Sequence, residues 1–149
     1  MKIIIQRVSE ASVLIDSQVK RTINQGFMIL LGITLDDNRE DIAWIIRKTL
    51  GLRIFNDEGG IMNKSITDVD GDILLISQFT LHASTKKGNR PSYLKAAKPE
   101  IAIPLYELFI KQLETQFKPI QTGEFGADMK VSIVNDGPVT IIIDSKNKE

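Results

Sequence analysis

The sequence predicts an α/β fold: a mixed, mainly antiparallel sheet that curls toward a barrel, with two helices packed on one side. Two continuous apolar runs carry that prediction, Phe27–Ile33 and Ile73–Ile76. A half-exposed strand would alternate, so each reads as a strand buried on both faces. Shorter β-branched segments surround them, and two stretches with helical spacing supply the second layer. At 149 residues the chain fits one domain, 1–149, able to bury roughly 70% of its unfolded surface.

In order, Ile3–Ile5, Ser12–Ile15 and Val19–Ile23 read as short strands, the last two joined by an Asp16-Ser17 turn. After Phe27–Ile33, Asp36-Asp37-Asn38 opens a helix, with Glu40 three residues beyond Asp37 in capping-box spacing. Ile42, Ile45, Ile46 and Thr49 recur at i, i+3, i+4 and i+7 and form its buried face, with Trp44 off that stripe. Leu52–Phe55 reads as a strand stopped by the turn residues Asn56–Gly60, and Ile61–Val69 as irregular.

The strand at Ile73 follows an Asp70-Gly71 turn. A second helix runs from about Pro99 to Gln116, with Ile101, Leu105, Leu108, Phe109, Gln112 and Leu113 on one face. Pro99 suits its first turn, whereas Pro104 either belongs to that turn or kinks the helix. Met129–Val134 and Val139–Ile143 read as a closing hairpin, and Ser145–Glu149 as a solvated tail.

Composition excludes several classes of function. Lys plus Arg equals Asp plus Glu at 19 each, so no global positive field recruits nucleic acid, and any such contact needs a local patch. The absence of Cys removes disulfides, thiolate metal sites and a thiol nucleophile. The N-terminus is apolar only briefly before a charge, neither signal peptide nor spanning helix, and a soluble cytoplasmic protein is expected.

Two stretches carry chemistry. The buried strand at Ile73–Ile76 runs straight into Ser77, Gln78 and Thr80, three hydrogen-bonding side chains beside Phe79. Continued as a strand, Ser77 and Phe79 point one way and Gln78 and Thr80 the other. Either these groups bond to neighbouring backbone, or they line a pocket that a ligand enters. The second stretch is Asn135-Asp136-Gly137-Pro138-Val139-Thr140, turn residues between apolar flanks and so a hairpin tip. Pro138 removes a donor and permits a cis bond after Gly137, presenting bare carbonyls on stiff backbone.

Together these stretches resemble the two signature motifs of the D-aminoacyl-tRNA deacylases. Ile5-Gln6-Arg7-Val8, Leu52-Arg53-Ile54-Phe55, Arg90-Pro91-Ser92, Thr122-Gly123 and Phe125-Gly126-Ala127 agree, so the resemblance spans essentially the whole chain. One departure is Gly51, where relatives often carry Asn.

The resemblance implies a homodimer that hydrolyses the ester of D-aminoacyl-tRNA, and of glycyl-tRNA, as a proofreading step without a cofactor, metal or DNA partner. It assigns backbone N–H groups around Gln78, Phe79 and Thr80 to the substrate carbonyl, and the Ser77 and Thr80 side chains to the adenosine end. Phe125 and Met129 join the adenosine wall. Gly137 and Pro138, linked by a cis bond, reach into the partner subunit's pocket and reject L residues, and Arg7 locks their loop.

Elementary chemistry agrees with a site poor in catalytic groups. An aminoacyl ester is already activated and carries a ribose 2′-hydroxyl beside it, so positioning and an oxyanion hole suffice. His82 is the only histidine and lies five residues along one segment from Ser77, too close in an extended chain to fold back onto it. Thr80 as a nucleophilic esterase residue and a non-catalytic module for the tRNA 3′ end are the alternatives. The polar loop Ser84–Ser92, with Lys86, Lys87 and Arg90, is either solvated or meets tRNA phosphates.

Overall fold

The computed structural model describes residues 1–148. Its elements are strands β1 (Lys2–Ile15), β2 (Val19–Ile23) and β3 (Gly26–Gly32), helix α1 (Arg39–Gly51), then β4 (Phe55–Asn56), β5 (Met62–Lys64) and β6 (Asp72–Ser77). Helix α2 (Pro99–Gln116), β7 (Gln121–Thr122) and β8 (Met129–Asp144) complete the chain. β1 is the spine: it pairs antiparallel with β8 along its length, with β3 through residues 2–8 and with β2 through residues 11–15. β3–β6 and β6–β7 are parallel. The sheet then curls until β2 meets β7, where the Arg21 guanidinium donates to the Thr122 carbonyl at 2.6 Å. This is the expected mixed, curled sheet with two helices.

The central strands are apolar throughout because each face has its own core. Phe27, Ile29, Leu31, Ile73 and Leu75 join Ile42, Ile45, Ile46, Phe109 and Leu113 of the helices. Met28, Leu74 and Ile76 point the other way, into the curl of the sheet, with Val8, Val13 and Ile15. Each fully buried side chain of this size contributes about 1.5–3 kcal/mol.

Several local expectations are corrected. Ile3–Ile5 and Ser12–Ile15 belong to one strand, β1; its register breaks at residues 6–10, where Ser9 and Glu10 are exposed. There the inward parity changes, so Ile3 and Ile5 face the helices while Ala11, Val13 and Ile15 face the curl. The Asp16-Ser17 turn is as expected, with φ of 47° and 57° matching the twist of the flanking strands. The N-cap of α1 is Asn38, whose side chain accepts from Glu40 and Asp41, and Asp41 closes the capping box; Glu40 does not. The buried face of α1 is the expected one, Ile42, Ile45, Ile46 and Thr49.

Leu52–Ile54 are not strand, and Ile61–Val69 is not wholly irregular: β4 and β5 form a two-stranded ribbon of their own. The inner face of α2 is rotated from its expected position, with Ala102, Tyr106, Phe109 and Leu113 buried and Ile101 exposed. Pro104 lies inside the helix, which continues through it.

The C-terminal tail is not simply solvated. Ser145 is buried, its hydroxyl accepts from the Met1 ammonium, and Lys146 pairs with Asp41 at 2.9 Å. Glu149 lies outside the described residues. Burial pushes the Asp41 carboxyl up, but hydrogen bonds from Ser145, Lys146 and the Asn38 backbone outweigh it and hold it below its ordinary 3.8. A depressed carboxylate stabilises above its unfolded pKa and loses that contribution as pH falls through the folded one. Acid titration of Tm should therefore show a loss below about pH 4 that Asp41→Asn lacks.

Candidate active site

A cleft of about 370 Å³ opens at the C-terminal end of β6, between that strand end, the 125–128 turn and the start of β8. Ser77, Gln78 and Phe79 line it with Phe125 and Met129. β6 ends at Ser77, where the Gln78 N–H makes the last rung of the parallel ladder to β3, donating to the Leu31 carbonyl at 2.7 Å. Phe79–His82 then forms a 3-10 turn rather than continuing the strand, so the expected alternation of Ser77 with Phe79 and Gln78 with Thr80 does not hold.

This turn sorts the backbone donors. Gln78 N–H is committed to Leu31, whereas the N–H groups of Phe79 and Thr80 head the turn and have no acceptor among the described residues. The Gln78 side-chain amide donates to the Thr80 hydroxyl, and among the described residues no carboxylate or imidazole bonds to that hydroxyl. Thr80 is half-buried and is not among the residues that line the cleft. His82 is not engaged with Ser77: its Nε2 is buried without a partner.

The opposite wall is shaped by residues with no chemical signature of their own. Gly123 donates to the Leu75 carbonyl, and a Cβ there would meet the Met129 sulfur at 2.5 Å, so its bareness gives Met129 its place. Tyr106 packs its ring 6.0 Å from Phe125 and donates to the Leu75 carbonyl at 3.3 Å. Burial pushes the Tyr106 hydroxyl up to about 12, so it stays protonated and serves as a rigid backing. Asp128 is the one titratable side chain in the lining. No group of three or more His, Cys, Asp or Glu among the described residues is arranged to hold a metal ion.

Gly137 and Pro138 are elsewhere, and not on a hairpin. Residues 129–144 are one strand on β1, and the pairing jumps from Asn135 opposite Val8 to Thr140 opposite Gln6. Asp136–Val139 therefore bulge out of β8 opposite Arg7, exposed at Gly137 and Pro138. The Gly137–Pro138 bond is cis. Arg7, only 7% exposed, grips the bulge from below: Nε donates to the Asp136 carbonyl at 2.9 Å and Nη1 to the Ile54 carbonyl at 2.6 Å. Asn135 closes the other side, accepting from the Val139 N–H and donating to the Thr140 hydroxyl. The bulge does not line the cleft of its own chain. Lys86, Lys87 and Arg90 lie exposed in the loop that Ser84 and Ser92 close by mutual pairing.

This architecture recurs among known proteins. The D-Tyr-tRNA(Tyr) deacylase family matches residues 4–144. A D-aminoacyl-tRNA deacylase of Bacteroides fragilis (strain YCH46) is 65% identical, and one of Flavobacterium psychrophilum 63%, each alignment covering 100% of both chains. Among solved structures, the c-Myc DNA Unwinding Element Binding Protein superposes with a TM-score of 0.92 at 42% identity over 97% of this chain and 98% of that one. A probable eukaryotic D-amino acid tRNA deacylase, at 15% identity, shares the fold with a TM-score of 0.82, over 95% of this chain and 97% of that one. The chain belongs to the D-Tyr-tRNA(Tyr) deacylase family. It is an enzyme, a hydrolase.

Proposed function

We propose that this single-domain protein hydrolyses the ester of D-aminoacyl-tRNA in the cytoplasm, as a homodimer and without a cofactor, and that glycyl-tRNA is a second substrate. The observation that carries the reading is a cleft whose strand-end turn offers two unpaired backbone donors, with Asp128, the one titratable side chain in its lining, ion-paired to Lys130. In this mechanism the Phe79 and Thr80 N–H groups hold the substrate carbonyl oxygen and stabilise the charge that develops there. The 2′-hydroxyl of the terminal ribose supplies the proton relay. Ser77 and Thr80 hold the adenosine end against Phe125 and Met129. Gln78 is removed from the donor set, since its N–H is already taken, and positions Thr80 through its side chain.

Selectivity belongs to the bulge. A pocket accepting many D side chains cannot sort by side-chain fit, so it rejects L residues by collision near Cα. Gly137 and Pro138 project from one chain and complete the cleft of a second, with Arg7 holding them. Their exposure, their absence from their own chain's cleft, and the exposed apolar residues Ile133 and Val134 beside them on β8 support this reading. Glycine, lacking a side chain, passes the filter. The 42% identical structure is named for binding a DNA element; a formal net charge of +0 gives no global field for DNA or tRNA, so contact with tRNA falls to the local cations of the 84–92 loop.

Purified protein should deacylate D-Tyr-tRNA and spare L-Tyr-tRNA; equal turnover of the two would refute the chiral function, and no turnover would leave a binding module. Thr80→Ala should keep deacylation within about ten-fold, the size of one neutral hydrogen bond, while a terminal 2′-deoxyribose should cost more. An acyl ester trapped on Thr80 would instead establish the nucleophilic esterase. Replacing Lys86, Lys87 and Arg90 together by Gln should weaken tRNA binding and flatten its salt dependence by roughly two units of slope. Chiral preference should survive that change, and an unaltered slope would return the loop to solvent.

A further inference from the structure

We infer that Phe79 and Tyr93 form a stacking platform at the rim of the cleft for an unpaired base of the incoming RNA strand, the base next to the terminal adenosine. The inference rests on the tRNA-ester reading above. The two rings meet edge to face with centroids 5.0 Å apart, yet Phe79 is 52% and Tyr93 39% exposed. Leu94 beside them is 88% exposed. Scattered apolar residues on a surface need no explanation, but two aromatic rings fixed against each other in water leave an apolar ring face without a cover.

Its surroundings say what kind of cover. Phe79 lines the cleft, and Tyr93 follows Ser92, whose backbone pairs with Ser84 at the root of the basic loop. From Ile73 to Pro99 there is no acidic residue, although acids and bases balance over the chain. Lys86, Lys87, Arg90, Lys95 and Lys98 fall in this stretch, and none has a carboxylate partner among the described residues. Exposed rings flanked by unpaired cations suit a single-stranded nucleic acid: cations follow the phosphates while the π-face takes a base of any sequence. Phe125 and Met129 are given to the terminal adenosine, which leaves the rim pair for the next nucleotide out.

The test is a cycle on KM. With D-Tyr-tRNA, Tyr93→Ala should raise KM roughly ten-fold, in line with the loss of one stacked base, with kcat little changed and Tyr93→Phe restoring the parent value. With the penultimate nucleotide made abasic, parent and Tyr93→Ala should become equal. No loss in Tyr93→Ala, or a loss that persists on the abasic substrate, overturns the platform. So does a fall in oligomeric mass on sizing of Tyr93→Ala, which would make the pair a contact between copies. Parent turnover of D-Tyr-adenosine, which lacks the penultimate base, tests the ester reading by itself; if it and D-Tyr-tRNA both fail, the parent reading has failed rather than the platform.

Discussion

Gly137→Ala is expected to lower D-substrate deacylation at least about a hundred-fold while leaving the fold assembled. Gly137 sits at φ +132°, in a region that L side chains rarely adopt. A Cβ there would lie 2.8 Å from Val139 Cγ2, 3.0 Å from Arg7 Nη2 and 3.1 Å from the Val139 nitrogen. Arg7 cannot easily withdraw, since it is buried and tied to the Asp136 and Ile54 carbonyls. The Val139 nitrogen is held by the Asn135 side chain at 3.0 Å. The displacement therefore goes into the bulge, moving the carbonyls assigned to the substrate. Backbone strain of this kind costs about 1–3 kcal/mol, below the typical stability of a domain. A misplacement of about 1 Å is enough for a hundred-fold loss of rate. Single-turnover deacylation beside a thermal melt separates the two effects; a variant with parental rate and D-over-L preference would sink the assignment of the bulge.

Gly26→Ala should instead destroy the fold. Gly26 opens β3 opposite Asp72 of β6, and a Cβ on it would lie 1.9 Å from the Asp72 carbonyl oxygen and 2.6 Å from its nitrogen. These are backbone atoms, so no rotamer change relieves the clash; the strands must part. β3 and β6 carry residues of both apolar cores, and their separation opens both. A loss above about 4 kcal/mol is expected, read as insoluble expression or a collapsed denaturation midpoint. Gly51→Ala is the control: nothing lies within 4 Å of its Cβ, and in α1 it should be neutral or stabilise by up to about 1 kcal/mol. Parental stability in Gly26→Ala would contradict the strand pairing itself.

What was legible in the sequence was whatever a single segment decides for itself. Phe27–Ile33 and Ile73–Ile76 announce burial on both faces because nothing polar interrupts them, and the stripe of α1 follows from its own spacing. The capping residue was misplaced by one, since Asp36, Asp37 and Asn38 are all good caps and only the turn before the helix chooses among them. The inner face of α2 was misread because Ile101 and Ile103 are apolar at exposed positions.

The larger misreadings concern partners far away in the chain. Asn135–Thr140 has all the chemistry of a hairpin turn, but β1, more than 120 residues earlier, takes both of its flanks and turns it into a bulge. A nearer misreading is the strand through Ser77, which stops because the Gln78 carbonyl accepts from the Leu81 N–H and Phe79–His82 winds into a 3-10 turn. Tyr106, which backs the cleft, was invisible for a plainer reason: a core tyrosine carries no chemical motif, and Gly123 was read only as part of the Thr122-Gly123 stretch, with no role at the site.

The bulge also constrains how the family's sequence can drift in length. Connecting loops accept insertions and deletions because slack there changes no pairing. Asp136–Val139 is held between two ladder segments of the same strand, with Ile133 opposite Ala11 on one side and Ile141 opposite Ile5 on the other. Removing or adding one residue leaves two outcomes: the bulge changes size and lifts off Arg7, or one flank slips and turns its side chains to the wrong face. A length change here is thus felt at the proposed chiral filter or in the sheet, so the spacing from Asn135 to Thr140 should admit substitutions far more readily than indels.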